Sequence, residues 1–138
     1  MIKSKIVSIP EKMEKFYGKG TMLHPVPNDI EALIKKIPRG KVLSIDMLAK
    51  RLANDHGTDV TCPMRTGNAI KKISKRYSAE NLDRDLPFWR VIRKDNLVVK
   101  TDNYEFWATQ LEEEGFELSY TKAQAIKVMV DEKDLFTL

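Results

Sequence analysis

The sequence predicts an α+β, mostly helical chain. Three observations carry that expectation. Two segments with apolar residues at helical spacing, joined by a short turn, run from Ser44 to Tyr77. The second of them holds Arg65, Lys71, Lys72, Lys75 and Arg76 and no acid. Two runs rich in β-forming residues, Phe88 to Arg93 and Leu97 to Lys100, then flank Lys94-Asp95-Asn96, a composition suited to a tight turn. Helix, turn, basic helix and β-hairpin in that order make a winged helix-turn-helix, a DNA-binding architecture.

The chain has 138 residues, enough for one domain with a real core. Apolar residues make up 42% and charged residues 32%, the balance of an ordinary globular protein rather than a disordered one. Its apolar runs are too short to span a membrane. Met1 to Lys5 has no apolar signal region, so the cytoplasm is the expected compartment. Cys62 is the one cysteine and cannot close an internal disulfide. With His24 and His56, which read as isolated loop residues, it makes a poor ligand set for zinc. No metal, no cofactor and a monomer are expected.

From the start, Ser8 and Glu11 have capping-box spacing, and Met13, Phe16 and Tyr17 share a helical face up to Gly18. This part, 1–27, reads as an N-terminal flap that ends in a loop held open by Pro25 and Pro27. Asn28 and Glu31 make a second capping box, followed by the stripe Ile30, Leu33, Ile34 and Ile37. Val42 and Leu43 fit a short strand. Ser44 caps the next helix, with Ile45, Leu48, Ala49 and Leu52 inward and Gly57 at its end. The basic helix begins near Thr61, with Pro63 in its first turn and Thr66, Ala69, Ile70, Ile73 and Tyr77 inward. Residues 78–85 read as a loop. Asp102 and Glu105 form a third capping box before Tyr104, Trp107, Ala108 and Leu111, and Gly115 is the C-cap candidate. Residues 28–116 are thus a core and 117–138 an extension. In that extension Ala125 to Val130 fits a strand or a helix end, and Leu135-Phe136 would anchor it.

The net charge is +4, and it is unevenly spread. Glu112, Glu113, Glu114 and Glu117 form an acidic patch, while the basic helix places Arg65, Asn68, Lys72, Lys75 and Arg76 on its outward side. Such a face is either solvated surface or a phosphate-binding surface. A helix docked on DNA needs its apolar side on the body and its cations outward, to neutralise phosphates and reach base edges.

Several blocks carry a resemblance: Ile37-Pro38-Arg39-Gly40-Lys41-Val42, Leu48-Ala49, Gly67-Asn68-Ala69-Ile70, Pro87-Phe88-Trp89-Arg90-Val91-Ile92 and Leu111-Glu112-Glu113-Glu114-Gly115. At this spacing the chain resembles the DNA-binding domain of the alkylguanine-DNA alkyltransferases, the methylguanine-DNA methyltransferase family, over roughly Asn28 to Phe116. That family's motif is Pro-Cys-His-Arg. Here Phe88 stands at the cysteine position and Trp89 at the histidine position. A phenyl ring cannot attack an alkyl carbon, and an indole cannot serve as the base for a thiol. The family's tyrosine falls at Ile45, its arginine finger at Met64 with Arg65 one residue on, and its hinge asparagine near Ile73.

The chain is therefore similar to the alkyltransferase-like proteins, which keep the fold and lack the cysteine. The resemblance implies binding to double-stranded DNA with alkylated guanine, no catalytic residue, and recruitment of a repair-pathway protein. Lys41, Ser44, Arg65, Asn68, Lys72, Lys75 and Arg76 are the expected DNA contacts. Ile45, Met64, Pro87, Phe88, Trp89 and Arg90 are the expected lesion pocket. Each has a plainer reading beside it: Phe88 and Trp89 as core, Arg90 as a loop clamp, Ser44 as a cap and Arg65 as a solvated cation. Cys62 reads as a packed small residue or, through the helix dipole, as an activated thiol. Two other functions compete: alkyl transfer through Cys62 in a remodelled site, and a winged helix that binds protein instead of DNA.

Overall fold

In chain order the elements are β1 (Lys5–Ser8), α1 (Glu14–Tyr17), β2 (Thr21–His24), α2 (Pro27–Ile34), β3 (Leu43–Ser44), α3 (Ile45–His56), β4 (Val60–Thr61), α4 (Pro63–Lys75), β5 (Val91–Ile92), α5 (Tyr104–Glu113), β6 (Leu118–Tyr120) and β7 (Ile126–Val128). The computed structural model describes residues 4–76, 86–99, 101, 104–121 and 125–138. The expected inward Tyr77, the loop 78–85, the strand end at Lys100 and the Asp102 cap lie outside the described residues. The α+β class holds, with short strands around a helical centre.

Strand pairing governs the N-terminal end. β1 and β2 run antiparallel, with Lys5 opposite His24 and Ser8 opposite Thr21. β2 also pairs parallel with β4, Met22 beside Val60 and Leu23 beside Thr61. Two expectations fail here. Ser8 is a strand residue, and the helical turn at Glu11–Met13 has no side-chain cap, because the ladder to Thr21 claims Ser8 first. Thr21–His24 is a strand rather than a loop. Pro25 lies just beyond it, where no ladder donor is needed.

α2 starts one residue before the expected cap. Pro27 occupies N1, where its fixed φ suits the helix and its missing N–H costs nothing, and no side-chain cap forms at Val26. Ile30, Leu33, Ile34 and Ile37 are buried, as their spacing predicts. α3 follows β3 directly. Ser44 holds the N-cap position in an extended conformation without a capping bond. Gly57 ends α3 at φ 68°, a left-handed conformation that glycine adopts without a Cβ penalty. His56 is the last residue of α3 and His24 the last of β2, not loop residues.

Phe88 to Arg93 was expected as one strand. Phe88–Arg90 is instead a 3₁₀ turn, and only Val91–Ile92 is strand, paired parallel with β3. The turn closes through the Arg90 amide on the Pro87 carbonyl at 3.0 Å and drives two aromatic rings inward. The tight turn after it is present. The Arg93 amide donates to the Leu97 carbonyl at 2.9 Å, Ile92 bridges Val98 antiparallel, and Asn96 takes the positive φ of 65°.

Of residues 125–130, expected as a strand or a helix end, Ile126–Val128 form a strand. β7 pairs antiparallel with β6, Ser119 opposite Lys127, and Lys127 bridges Leu97. The following segment returns to Val42, just before β3: the Val42 amide donates to the Asp134 carbonyl and the Phe136 amide to the Val42 carbonyl, each at 2.8 Å. Phe136 is half-buried against the core, whereas Leu135 is exposed, so this anchor is mostly backbone. Asp131 and Asp134 form a capping box that the sequence reading missed.

One core joins these parts. α2, α3, α4 and α5 contribute Ile34, Leu48, Ile70 and Trp107, each fully buried, around Phe88 and Trp89. Burying a side chain of this size stabilises the fold by about 1.5–3 kcal/mol. A smaller cluster of Ile9, Met22 and Cys62 packs the N-terminal sheet on the start of α4.

Candidate nucleic-acid interface

α4 has two unlike sides. Thr66, Ala69, Ile70, Ile73 and Ser74 are buried, and the Thr66 hydroxyl donates to the Cys62 carbonyl at 2.8 Å. Arg65, Asn68, Lys71, Lys72, Lys75 and Arg76 are exposed. The apolar side locks the helix to the body, so the cations project as a fixed array. Lys72 and Lys75 lie in the last turn, where the helix dipole favours positive charge. Arg76 differs from its neighbours: its Nη1 stands 2.6 Å from Glu31 Oε1 on α2. Part of its charge is spent within the protein.

The array extends past the first turn of α4. Lys5 and His24 face each other across β1 and β2. His24 has its pKa lowered from the ordinary 6.5, first by burial, then by the positive charges of Arg65 and Lys5. These two cations therefore lie within electrostatic reach of one imidazole. Lys41 sits apart from this array in its bonding, since its ammonium donates to the Lys133 carbonyl.

The motif blocks meet at Glu114. Its carboxylate accepts Arg90 Nε at 2.9 Å, Trp89 Nε1 at 2.5 Å and the Gly40 amide at 2.9 Å. Arg90 Nη1 donates to the Ile37 carbonyl at 2.7 Å, and Arg39 donates to the Glu113 carbonyl at 2.9 Å. The Ile37–Gly40 turn, the Phe88–Arg90 turn and the end of α5 are thus tied by one acid. Glu114 belongs to this knot rather than to a solvated acidic patch.

Phe88 and Trp89 are 0% and 1% exposed. The Phe88 ring meets Trp89 and Trp107 edge-on, both at 5.3 Å between centroids, with Phe106 at 6.3 Å. Pro87 is buried as well. The stacking role expected of Phe88 and Trp89 is corrected here: neither ring offers a face to a base, because both fill the core. Arg90 is the loop clamp. The six expected pocket residues do not converge. Ile45 lies on a groove wall, and Met64 is 73% exposed on the first turn of α4.

That groove is a separate feature. It has a volume of about 610 Å³ and is lined by Ile45, Ala49 and Ala53 of α3 and by Pro63 and Thr66 of α4. Arg93 and Lys94 of the tight turn and Tyr17 of α1 also line it. Cys62 is buried, with neighbours Ile9 and Met22. Sequence reasoning missed Glu114 as a hub, Tyr17 and the Arg93–Lys94 rim. Glu114 had a signal, its place in one of the blocks that carry the resemblance; Tyr17 had none beyond an aromatic on a short helix.

A basic helix fixed by its apolar side, with an array of cations outward, is the arrangement that a polyanion-binding surface requires. No protein-family model and no curated protein matches the sequence. Among solved structures, the fold is similar to that of S. pombe Atl1 in complex with damaged DNA containing O6-carboxymethylguanine. The TM-score is 0.61 at 21% identity, over 81% of this chain and 94% of that one. A second structure, S. pombe ATL in complex with DNA, matches at TM-score 0.60, with the same identity and coverage.

Proposed function

We propose that this chain is a non-catalytic DNA-binding protein of the alkyltransferase-like type, which binds alkylated guanine in duplex DNA and flags it for repair in the cytoplasm. The observation that carries this reading is the outer face of α4, whose exposed cations stand on a fold similar to a protein solved with damaged DNA. α3 and α4 act as the helix-turn-helix and the Arg93–Asn96 turn as a short wing. Arg65, Asn68, Lys72 and Lys75 are the principal contacts, with Arg76, Ser44 and Lys41 at the margin. The burial of Phe88 and of Cys62 leaves no accessible thiol for alkyl transfer among the described residues.

The test is binding to duplexes with and without O6-methylguanine across a salt series. Contact with about four phosphates gives a log–log slope of roughly −3 to −4. Intact mass is unchanged after incubation with the lesion. A slope near zero removes the electrostatic account and favours a protein-binding role. A methyl adduct lost in Cys62→Ser makes the chain a transferase.

A further inference from the structure

We infer that a second groove, between α5 and the β6–β7 hairpin, is a docking surface for an arginine- or lysine-rich segment of another protein, whatever α4 binds.

This groove has a volume of about 570 Å³, room for a few long side chains rather than a folded partner. Its floor is apolar: Ala108 of α5 and Ile126 of β7, both buried. Tyr104 and Tyr120 supply ring surface, and Tyr120 is 69% exposed. Glu105 and Glu112 line it from α5, two turns and thus about 10 Å apart along the helix.

The fold leaves these two acids uncompensated. The ion pairs among the described residues hold Asp29, Glu31, Asp55, Asp95 and Glu114, and neither Glu105 nor Glu112. α5 has no lysine or arginine. Lys127 adjoins Ile126, but strand alternation turns it to the opposite face. Glu112 also sits in the last turn of α5, where the helix dipole is negative and a carboxylate lowers stability. The hydroxyls beside them are taken: Thr109 donates to the Glu105 carbonyl at 3.0 Å, and Thr121 accepts the Ala125 amide at 3.1 Å.

Charge complementarity selects a cation. The apolar floor and the rings select one carried on a long aliphatic stem. A lysine or arginine can lay its methylenes on Ala108 and Ile126, set its head against the carboxylates and cover a tyrosine face. The same carboxylates repel a phosphate backbone, which excludes nucleic acid. No residue of α4 lines the groove, so both surfaces can be filled together. In a DNA-bound copy the cations of α4 are engaged, which leaves a separate protein as the occupant.

The experiment uses the full chain and a fluorescent arginine-rich peptide, with the same peptide carrying neutral citrulline at each arginine as control. The arginine peptide binds and the citrulline peptide does not. Glu105→Gln with Glu112→Gln weakens binding about tenfold, the combined size of two exposed charge pairs. Tyr120→Ala weakens it about two- to fivefold, and Tyr120→Phe restores it. Glu113→Gln with Glu117→Gln, acids that do not line the groove, leaves it unchanged. Duplex affinity is no lower in the Glu105/Glu112 variant, whichever duplex α4 prefers. Equal binding of both peptides, no binding of either, or equal losses in the two acid pairs each overturn the inference. Self-association of the protein alone that the Glu105/Glu112 variant abolishes also overturns it, by making a second copy the occupant.

Discussion

Arg90 and Glu114 meet at 2.9 Å with side chains 12% and 3% exposed, a nearly dry ion pair between the Phe88–Arg90 turn and the end of α5. The same carboxylate takes the Gly40 amide and the Trp89 indole. One residue therefore sets the relative position of the turn before β3, the aromatic core and α5. β3 in turn leads into the helix pair that carries the cations.

Removing that carboxylate strands the Arg90 charge. Breaking a buried pair costs about 3–5 kcal/mol, because the remaining ion has lost its compensation. Glu114→Ala should lose about 3 kcal/mol or more in urea unfolding, and Glu114→Gln less, since the amide oxygen still accepts. A loss below about 1 kcal/mol would show that water or a neighbour replaces the carboxylate, and that the knot does not hold the fold.

The cations of α4 should not behave alike. Lys72→Ala and Lys75→Ala remove phosphate contacts, so each weakens lesion and unmodified duplex equally and reduces the salt slope by about 1. Arg76→Ala weakens binding less, because Glu31 already holds its guanidinium at 2.6 Å. Arg65→Ala weakens binding to lesion duplex more than to unmodified duplex. Titrations of the four variants against both duplexes decide this; a uniform loss makes Arg65 one more phosphate contact.

His24 gives a pH dependence with a defined sign. Its folded pKa lies below the ordinary 6.5, from burial first and then from Arg65 and Lys5. Between the two values the unfolded state holds more protons. The contribution to stability is full above the unfolded pKa and is lost as pH falls through the folded one. NMR titration of the ring should place its midpoint below 6.5 and move it upward in Arg65→Ala. Bound duplex should also raise it, as phosphate offsets the two cations. A midpoint at or above 6.5 in free wild-type protein would remove the charge cluster from the account.

The centre of this fold was legible because its helices bury one stripe each. Ile30, Leu33 and Ile34, and Thr66, Ala69, Ile70 and Ile73, announce their inner faces by spacing alone. β2 was not legible. It is the central strand of its sheet, so Met22 and Leu23 are both buried and the alternation that marks a half-buried strand is missing. The Phe88–Arg90 turn has strand-forming composition, and its shape comes from the distant partners Ile37 and Glu114. Of the candidate site, the cations of α4 follow from charge and period. The groove does not, because its walls come from five separate elements.

Phe88 also bears on how such a chain can change. At the position where the resembling enzymes keep a reactive thiol, the ring is a keystone among Trp89, Phe106 and Trp107. Exchanging it for cysteine would empty most of its volume, and removal of a buried phenyl group costs about 3–5 kcal/mol. Whole domains are held by only about 5–15 kcal/mol. A Phe88→Cys exchange cannot place a thiol here without loosening the molecule. Phe88 thus works as a lock: the exposed face of α4 can change at far less cost in stability than this ring.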